Sequence, residues 1–386
     1  MNFTQVQRYE IIESIIKNGC GIEEILKISL EVLMKAEREA HNHQTQDMSN
    51  GYRYRKTYGQ GKLLELKVPR TRNGNFYPVI LGLLRSQEEE AKQIAFKLYG
   101  AGLTTEQVGE LFNDIYGQTY SSSSISRMFD YAREEVDAWL KRPLNKYYPI
   151  IYIDAAFIST RRVDRVSKES YFTVLGVNSD CTREVLGVYN NPTEGSHFWN
   201  DIFTDIKERG VEEIDLAVTD GLSGIENVIQ NHFKMCEVQL CTVHLERECL
   251  KYAKPIHKPE MANDLKEVFT SDDKNDNVQL GLIRWESFCR KWGKYYNVFK
   301  NKLNNDRYIY YFTYLKYDYR IRSMIYTTNW IERLNRDYKR TTKMRGAMPN
   351  PESVLLLLGH VAMTRKYYEY KINNFKFESR YFKWDV

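Results

Sequence analysis

The chain has 386 residues, 42% hydrophobic and 28% charged, with a formal net charge of +5. That length implies two or three domains, each with its own core. No apolar run approaches the roughly 18 residues of a membrane span, the opening MNFTQVQRYEIIESIIK lacks the pattern of a secretory signal, and Cys20, Cys181, Cys236, Cys241, Cys249 and Cys289 are too sparse and irregular for a disulfide framework. An intracellular protein is expected.

The positive charge is segregated. From Gly281 to Val386 there are 22 Lys and Arg against 9 Asp and Glu, a net of +13, which leaves −8 for residues 1–280. The same stretch holds 14 of the 29 tyrosines. Basic side chains interleaved with aromatic rings suit a nucleic-acid backbone and its bases; the alternative is tyrosines filling a core while Lys and Arg solvate it.

In chain order, residues 1–50 read as a helical module, with Ile11, Ile15, Ile22, Ile25, Leu26 and Leu33 at helical spacing and a break at Gly19 and Gly21. Residues 51–84 read as a β-ribbon or arm with seven basic residues and one acid between Gly51 and Asn75. Residues 85–146 return to a helical pattern, helix from Ser86. They contain a helix-turn-helix-like segment: one helix capped by Thr104 or Thr105, a break at Gly117, and a second helix entered through Ser121–Ser124.

The texture changes at Tyr147. YYPIIYIDAAFIST, SYFTVLGVN and REVLGVYN read as three strands; the helix SHFWNDIFTDIKERG, the strand IDLAVTD, the helix SGIENVIQNHF and the short strand EVQLC follow. This order predicts an α/β fold, a mixed five-stranded sheet with flanking helices, over 147–254. Residues 255–325 read as a polar helical insertion, and 326–386 as a closing helix and basic tail.

Asp154 interrupts the most apolar strand, and a buried carboxylate needs a partner: an arginine, backbone donors or a metal ion. Asp220 ends another apolar strand, where α/β sheets place ligands, although it could simply cap the next helix. Glu332 follows Asn329 by three residues and could close a capping box. If the first and fourth strands are neighbours, Asp154 and Asp220 converge, and an acid from a later helix completes a trio. Three carboxylates suit Mg²⁺ or Mn²⁺, and two such ions about 4 Å apart would activate a water or 3′-hydroxyl against a phosphodiester.

Many ordered motifs, among them LMKAEREAH, LKVPRTRNGNFYP, YIDAAF, VLGVNSDCTREVLGVY, FWNDIFTDIKERGV, VTDGLSGI, CTVHLER and TTNWIERLNRDYKRTTKMRG, resemble those of Mutator-type transposases of bacterial insertion sequences. The resemblance implies a ribonuclease-H-like catalytic core with a helical insertion between its second and third acids. It also implies an Asp–Asp–Glu triad at Asp154, Asp220 and Glu332 holding two divalent metals, and strand cleavage and strand transfer at element ends. The intervals of 66 and 112 residues leave room for the insertion in the second. Two departures, NSDC in place of a glycine-bearing turn and Phe157 where tyrosine is frequent, touch no triad position.

The family's Cys-x-x-His motif is matched by Cys241 and His244, with Arg247 following, and these three are candidate supporting residues. With Cys236 and Cys249 they lack the paired spacing of a structural zinc site. Double-stranded DNA, both the terminal inverted repeats and the target, is the expected partner, held by a homodimer. The candidate DNA contacts are Arg333, Arg336, Lys339, Arg340, Lys343 and Arg345 near the third acid, Arg53, Arg55, Lys56, Arg70 and Arg72 on the ribbon, and Ser122, Ser124 and Arg127 on the second helix of the helix-turn-helix-like segment. The expected location is cytoplasmic, at the nucleoid, with no membrane. A structure-specific nuclease on the same core and a non-catalytic DNA-binding regulator are the competing readings.

Overall fold

A computed structural model describes residues 4–18, 22–59, 62–116, 120–190, 196–222, 224–303 and 305–365. Expectations resting on Gly19, Gly21, Gly117 and the tail beyond residue 365 lie outside these residues. The chain forms two compact units, residues 1–132 and 133–386.

The first unit begins with helices α1 (Gln5–Asn18) and α2 (Ile22–Thr45), then strands β1 (Ser49–Gly59) and β2 (Lys62–Thr71) in an antiparallel pair. Three helices follow: α3 (Val79–Gly100), α4 (Thr105–Tyr116) and α5 (Ser122–Met128). The unit ends within α6 (Asp130–Leu140). The ribbon is not a bare arm. Leu64, Leu66 and Val68, alternating along β2, are buried with Met34 of α2 and with Ile80, Leu81 and Leu84 of α3, while Leu26, Leu30 and Leu33 pack against them. Helix α3 starts at Val79, earlier than the expected Ser86, because Pro78 sits at the N-cap, where a missing N–H costs nothing. Thr104 accepts from the Gln107 backbone N–H while the Gln107 side chain accepts from the Thr104 N–H, a capping box that starts α4.

In the second unit, β3 (Tyr147–Arg161), β4 (Val166–Val177), β5 (Arg183–Asn190), β6 (Glu213–Thr219) and β7 (Glu237–Leu240) form one mixed sheet in the order β5-β4-β3-β6-β7. The first three strands are antiparallel neighbours; β6 and β7 add in parallel. Helices α7 (Ser196–Glu208) and α8 (Ile225–His232) cover one face. Phe198, Trp199, Ile202, Phe203 and Ile206 of α7 fall on one helical stripe and meet Ile151 and Ile153 of β3 and Phe172 and Val174 of β4. The pleat then sends the alternate β3 residues, Tyr152 and Asp154, to the opposite face. There α14 (Asn329–Thr342) packs on β3 and α15 (Pro351–Met363) on β5.

Between them come α9 (Thr242–Tyr252), α10 (Lys258–Val268), α11 (Val278–Gly293), α12 (Asn297–Lys302), two 3₁₀ turns (Asp306–Tyr311 and Thr313–Lys316) and α13 (Tyr319–Ile325). Their core is aromatic. Trp285 stacks on Phe288 and Tyr308, and Phe269 on Phe312. Tyr314, Tyr317 and Tyr338 are buried, so packing accounts for part of the C-terminal tyrosine enrichment. A Cβ at Gly281 of α11 would lie 2.5 Å from Phe312 Cδ1 and 2.9 Å from Leu315 Cδ1. Gly281→Ala is therefore expected to destabilise the second unit by about 1–2 kcal/mol, overpacking outweighing the gain in helix propensity. Urea unfolding checks this; a midpoint equal to or above the parent's contradicts it.

Candidate active site

The register between β3 and β6 runs in parallel from Tyr147↔Glu213 to Ile153↔Thr219. Asp154 comes next in the middle of β3 and Asp220 comes next just past the end of β6, so the two neighbouring central strands bring an acid each to the carboxyl end of β6. Gly221 follows Asp220 with φ 90°, a conformation that glycine adopts without strain and that turns the chain sharply off the sheet.

Asp154 is 6% exposed. Its Oδ1 accepts from the Ala155 N–H at 2.8 Å, and its Oδ2 accepts from Asn335 Nδ2 at 2.8 Å. Its side-chain hydrogen-bond partner is thus an amide on α14 rather than an arginine. Burial pushes its carboxyl above the ordinary value, with Glu332's negative charge adding to the rise; the Ala155 N–H, His244 and the Asn335 amide work against it.

Glu332 and Asn335 stand three residues apart on α14, hence on one face of the helix. The capping role considered for Glu332 is not realised. Thr328 is the N-cap, Asn329 is already helical, and no side chain caps the helix. Glu332 Oε1 instead accepts from Arg247 Nη1 at 3.1 Å. Likewise Asp220 does not cap α8, whose N-cap is Gly224.

Cys241 and His244 lie at the start of α9. Cys241 is buried at the N-cap of α9; its N–H donates to Thr219 O at 2.8 Å, and its sulfur accepts from Thr328 Oγ1 at 3.4 Å. Through its backbone and its thiol, Cys241 therefore links the end of β6 to the start of α14. Burial raises its pKa, so it stays a neutral thiol. Cys181, Cys236, Cys249 and Cys289 are also buried.

His244 and Asp220 line a cavity of about 280 Å³ with Glu248, Lys302, Asn305 and Arg307. Arg307 reaches across to Gly221 O at 2.8 Å and Leu222 O at 2.9 Å, and its Nε donates to the buried Glu226 at 2.6 Å. The insertion thus clamps the loop that carries Asp220.

Asn335 and Arg307 are absent from the site residues expected from sequence. Asn335 had a signal: it is the polar member of an otherwise apolar stripe with Ile331, Leu334 and Tyr338, all buried. Arg307 had none, because its acceptors are backbone carbonyls 85 and 86 residues away.

The candidate DNA contacts fall on both units. On α14, Arg333, Arg336, Lys339 and Arg340 are exposed, as is Lys343 just after it; Arg345 is half-buried. On the ribbon of the first unit, Arg53, Lys56, Arg70 and Arg72 are exposed and Arg55 is half-buried. On α5, Ser122 and Arg127 are exposed and Ser124 is half-buried; Ser121 caps that helix by accepting from the Ser124 N–H.

The second unit thus holds Asp154 of β3, Asp220 after β6 and Glu332 of α14 along with an exposed row of arginines and lysines on α14. The family model described as "Transposase, Mutator family" matches residues 4–371. The chain belongs to the Mutator family of transposases. It is 28% identical over 347 residues, 86% of its length and 87% of the relative's, to the transposase for insertion sequence element IS905 of Lactococcus lactis. To a probable transposase for an ISRM3-like element of Sinorhizobium fredii it is 30% identical, over 76% of this chain and 73% of the relative. To the IS256 transposase in transposon Tn4001 of Staphylococcus aureus it is 26% identical, over 86% and 84%. No helix among the described residues is long and apolar enough to cross a membrane.

Proposed function

We propose that this chain is a DDE-type transposase with a ribonuclease-H-like core, which binds the terminal inverted repeats of its own mobile element, cleaves there and joins the ends to target DNA. The observation that carries the proposal is the meeting of β3, β6 and α14: Asp154 within β3 and Asp220 just after β6 follow the last paired positions of two adjacent parallel strands, and Glu332 lies close enough to raise the Asp154 pKa. Family membership supports it.

Two facing carboxylates, one of them buried, are the arrangement that a hard divalent cation stabilises. The donor set fits Mg²⁺ or Mn²⁺. Among the described residues no three His, Cys, Asp or Glu side chains stand together as a metal-holding group. Ligation by all three acids therefore involves side-chain movement, for which Glu332 and Asp220, both partly exposed, have room. Asp154, Asp220 and Glu332 would hold two ions, which supply activation of a water or 3′-hydroxyl and charge compensation at the leaving oxygen.

The remaining work falls to this chain's own side chains. The α14 cations hold DNA phosphates beside acids that would otherwise repel them. Arg307 fixes the Asp220 loop. The basic ribbon and α5 of the first unit engage the terminal repeats, and two copies of the chain bring two ends together. Positioning and charge compensation, rather than a covalent enzyme intermediate, provide the acceleration.

The test is to incubate the purified protein with the DNA flanking its own reading frame and Mg²⁺, and to map the products by sequencing. Cuts at the terminal repeats together with joined products are expected. Cutting of branched DNA without joining would establish the nuclease reading instead. Specific binding without cleavage in either Mg²⁺ or Mn²⁺ would establish the regulator.

A further inference from the structure

Asn335 is 3% exposed in the middle of the face of α14 that packs on the sheet. Apolar packing needs no amide there. Its Nδ2 donates to Asp154 Oδ2 at 2.8 Å across 181 residues of chain, while its Oδ1 meets no hydrogen-bond partner among the described residues. A buried amide with half of its bonding capacity unmet is costly unless the other half does something that a leucine could not. What it does is donate to a buried carboxylate, the stronger charge-assisted kind of hydrogen bond. It does so one helical turn from Glu332, so the same bond sets the register between α14 and β3 and with it the approach of Glu332 to Asp154.

We propose that Asn335 is a positioning residue for the metal-binding acids: its amide orients the Asp154 carboxylate and locks α14 so that Glu332 faces it. The inference rests on the reading of Asp154 and Glu332 as metal ligands. Outer partners of ligating carboxylates characteristically change metal affinity by about 10–100-fold when removed. A bond that merely ties α14 to the sheet would change stability and leave metal affinity alone.

Calorimetric titration of the full-length protein with Mn²⁺ in the absence of DNA separates these roles, with unfolding temperature and DNA affinity measured in parallel. Asn335→Ala is expected to bind Mn²⁺ about 10–100-fold more weakly than the parent while still binding DNA. Leu334→Ala, which loosens the same helix through a buried neighbour with no group to hydrogen-bond Asp154, is expected to lower the unfolding temperature and leave Mn²⁺ affinity within about twofold. Mn²⁺ affinity of Asn335→Ala within twofold of the parent overturns the inference, as does an equal loss in Leu334→Ala. Asp154→Asn distinguishes the deeper failure: if it binds Mn²⁺ like the parent, the metal reading itself falls. If it loses Mn²⁺ while Asn335→Ala keeps it, only the role of Asn335 falls.

Discussion

Asp154→Asn is expected to lose DNA cleavage by at least about 10³-fold while keeping its fold and its DNA affinity. Asparagine has nearly the same shape as aspartate and can still pair with the Asn335 amide and accept from the Ala155 N–H. What disappears is the negative charge. That charge is costly in the folded protein: burial and Glu332 both push the Asp154 carboxyl toward its neutral form. The variant should therefore melt at the same temperature as the parent or slightly higher, the pattern of a site that gives up stability for activity. Cleavage assays on terminal-repeat DNA with Mg²⁺, paired with calorimetry, check both halves. A variant that cuts like the parent would falsify the assignment of Asp154. One that loses cleavage and melts far lower would point to a structural role.

The largest stability loss is expected at Arg322→Met. Arg322, on α13, is 1% exposed, and its guanidinium donates to four backbone carbonyls: Tyr317 at 2.9 Å, Asp273 at 2.8 Å, Asp276 at 3.1 Å and Leu315 at 3.0 Å. Those carbonyls belong to the loop before α11 and to the second 3₁₀ turn and its end, so a single side chain ties together two stretches of the insertion. Methionine fills much of the volume and none of the acceptors. Several buried carbonyls left without donors cost about 3–5 kcal/mol together, which for a unit of this size lowers the melting temperature by roughly 10 °C or more. Thermal denaturation followed by circular dichroism checks it, and a fall of under about 2 °C would show that water reaches those carbonyls.

Much of the second unit's sheet was legible in the sequence because continuous apolar runs and helical stripes alternate from Tyr147 to Leu240. The sheet was readable as three strands, a helix, a strand, a helix and a strand, and the observed parallel pairing of β3 with β6 is the neighbour relation on which the convergence of Asp154 and Asp220 depends. Side-chain partners were less legible. A capping motif at Asn329 and Glu332 is defined by local spacing, yet the helix begins one residue earlier and Glu332 finds Arg247, 85 residues away. Asp154 required a partner, but nothing local says that it is an asparagine 181 residues on. The ribbon's basic residues were visible, whereas its packing on α2 follows from an alternation in β2 that only a neighbouring helix makes meaningful.

The long reach of the bonds from α14 also has a bearing on synthesis. A chain emerging from the ribosome folds its N-terminal elements first, and the ribbon and helices of the first unit are complete about 200 residues before Glu332 and Asn335 are made. Until then Asp154 and Asp220 lack both the third acid and the amide. An unfinished or prematurely terminated polypeptide is consequently a fragment with the basic ribbon and no assembled set of acids. Glu332 and Asn335 reach Asp154 only in a chain translated past α14.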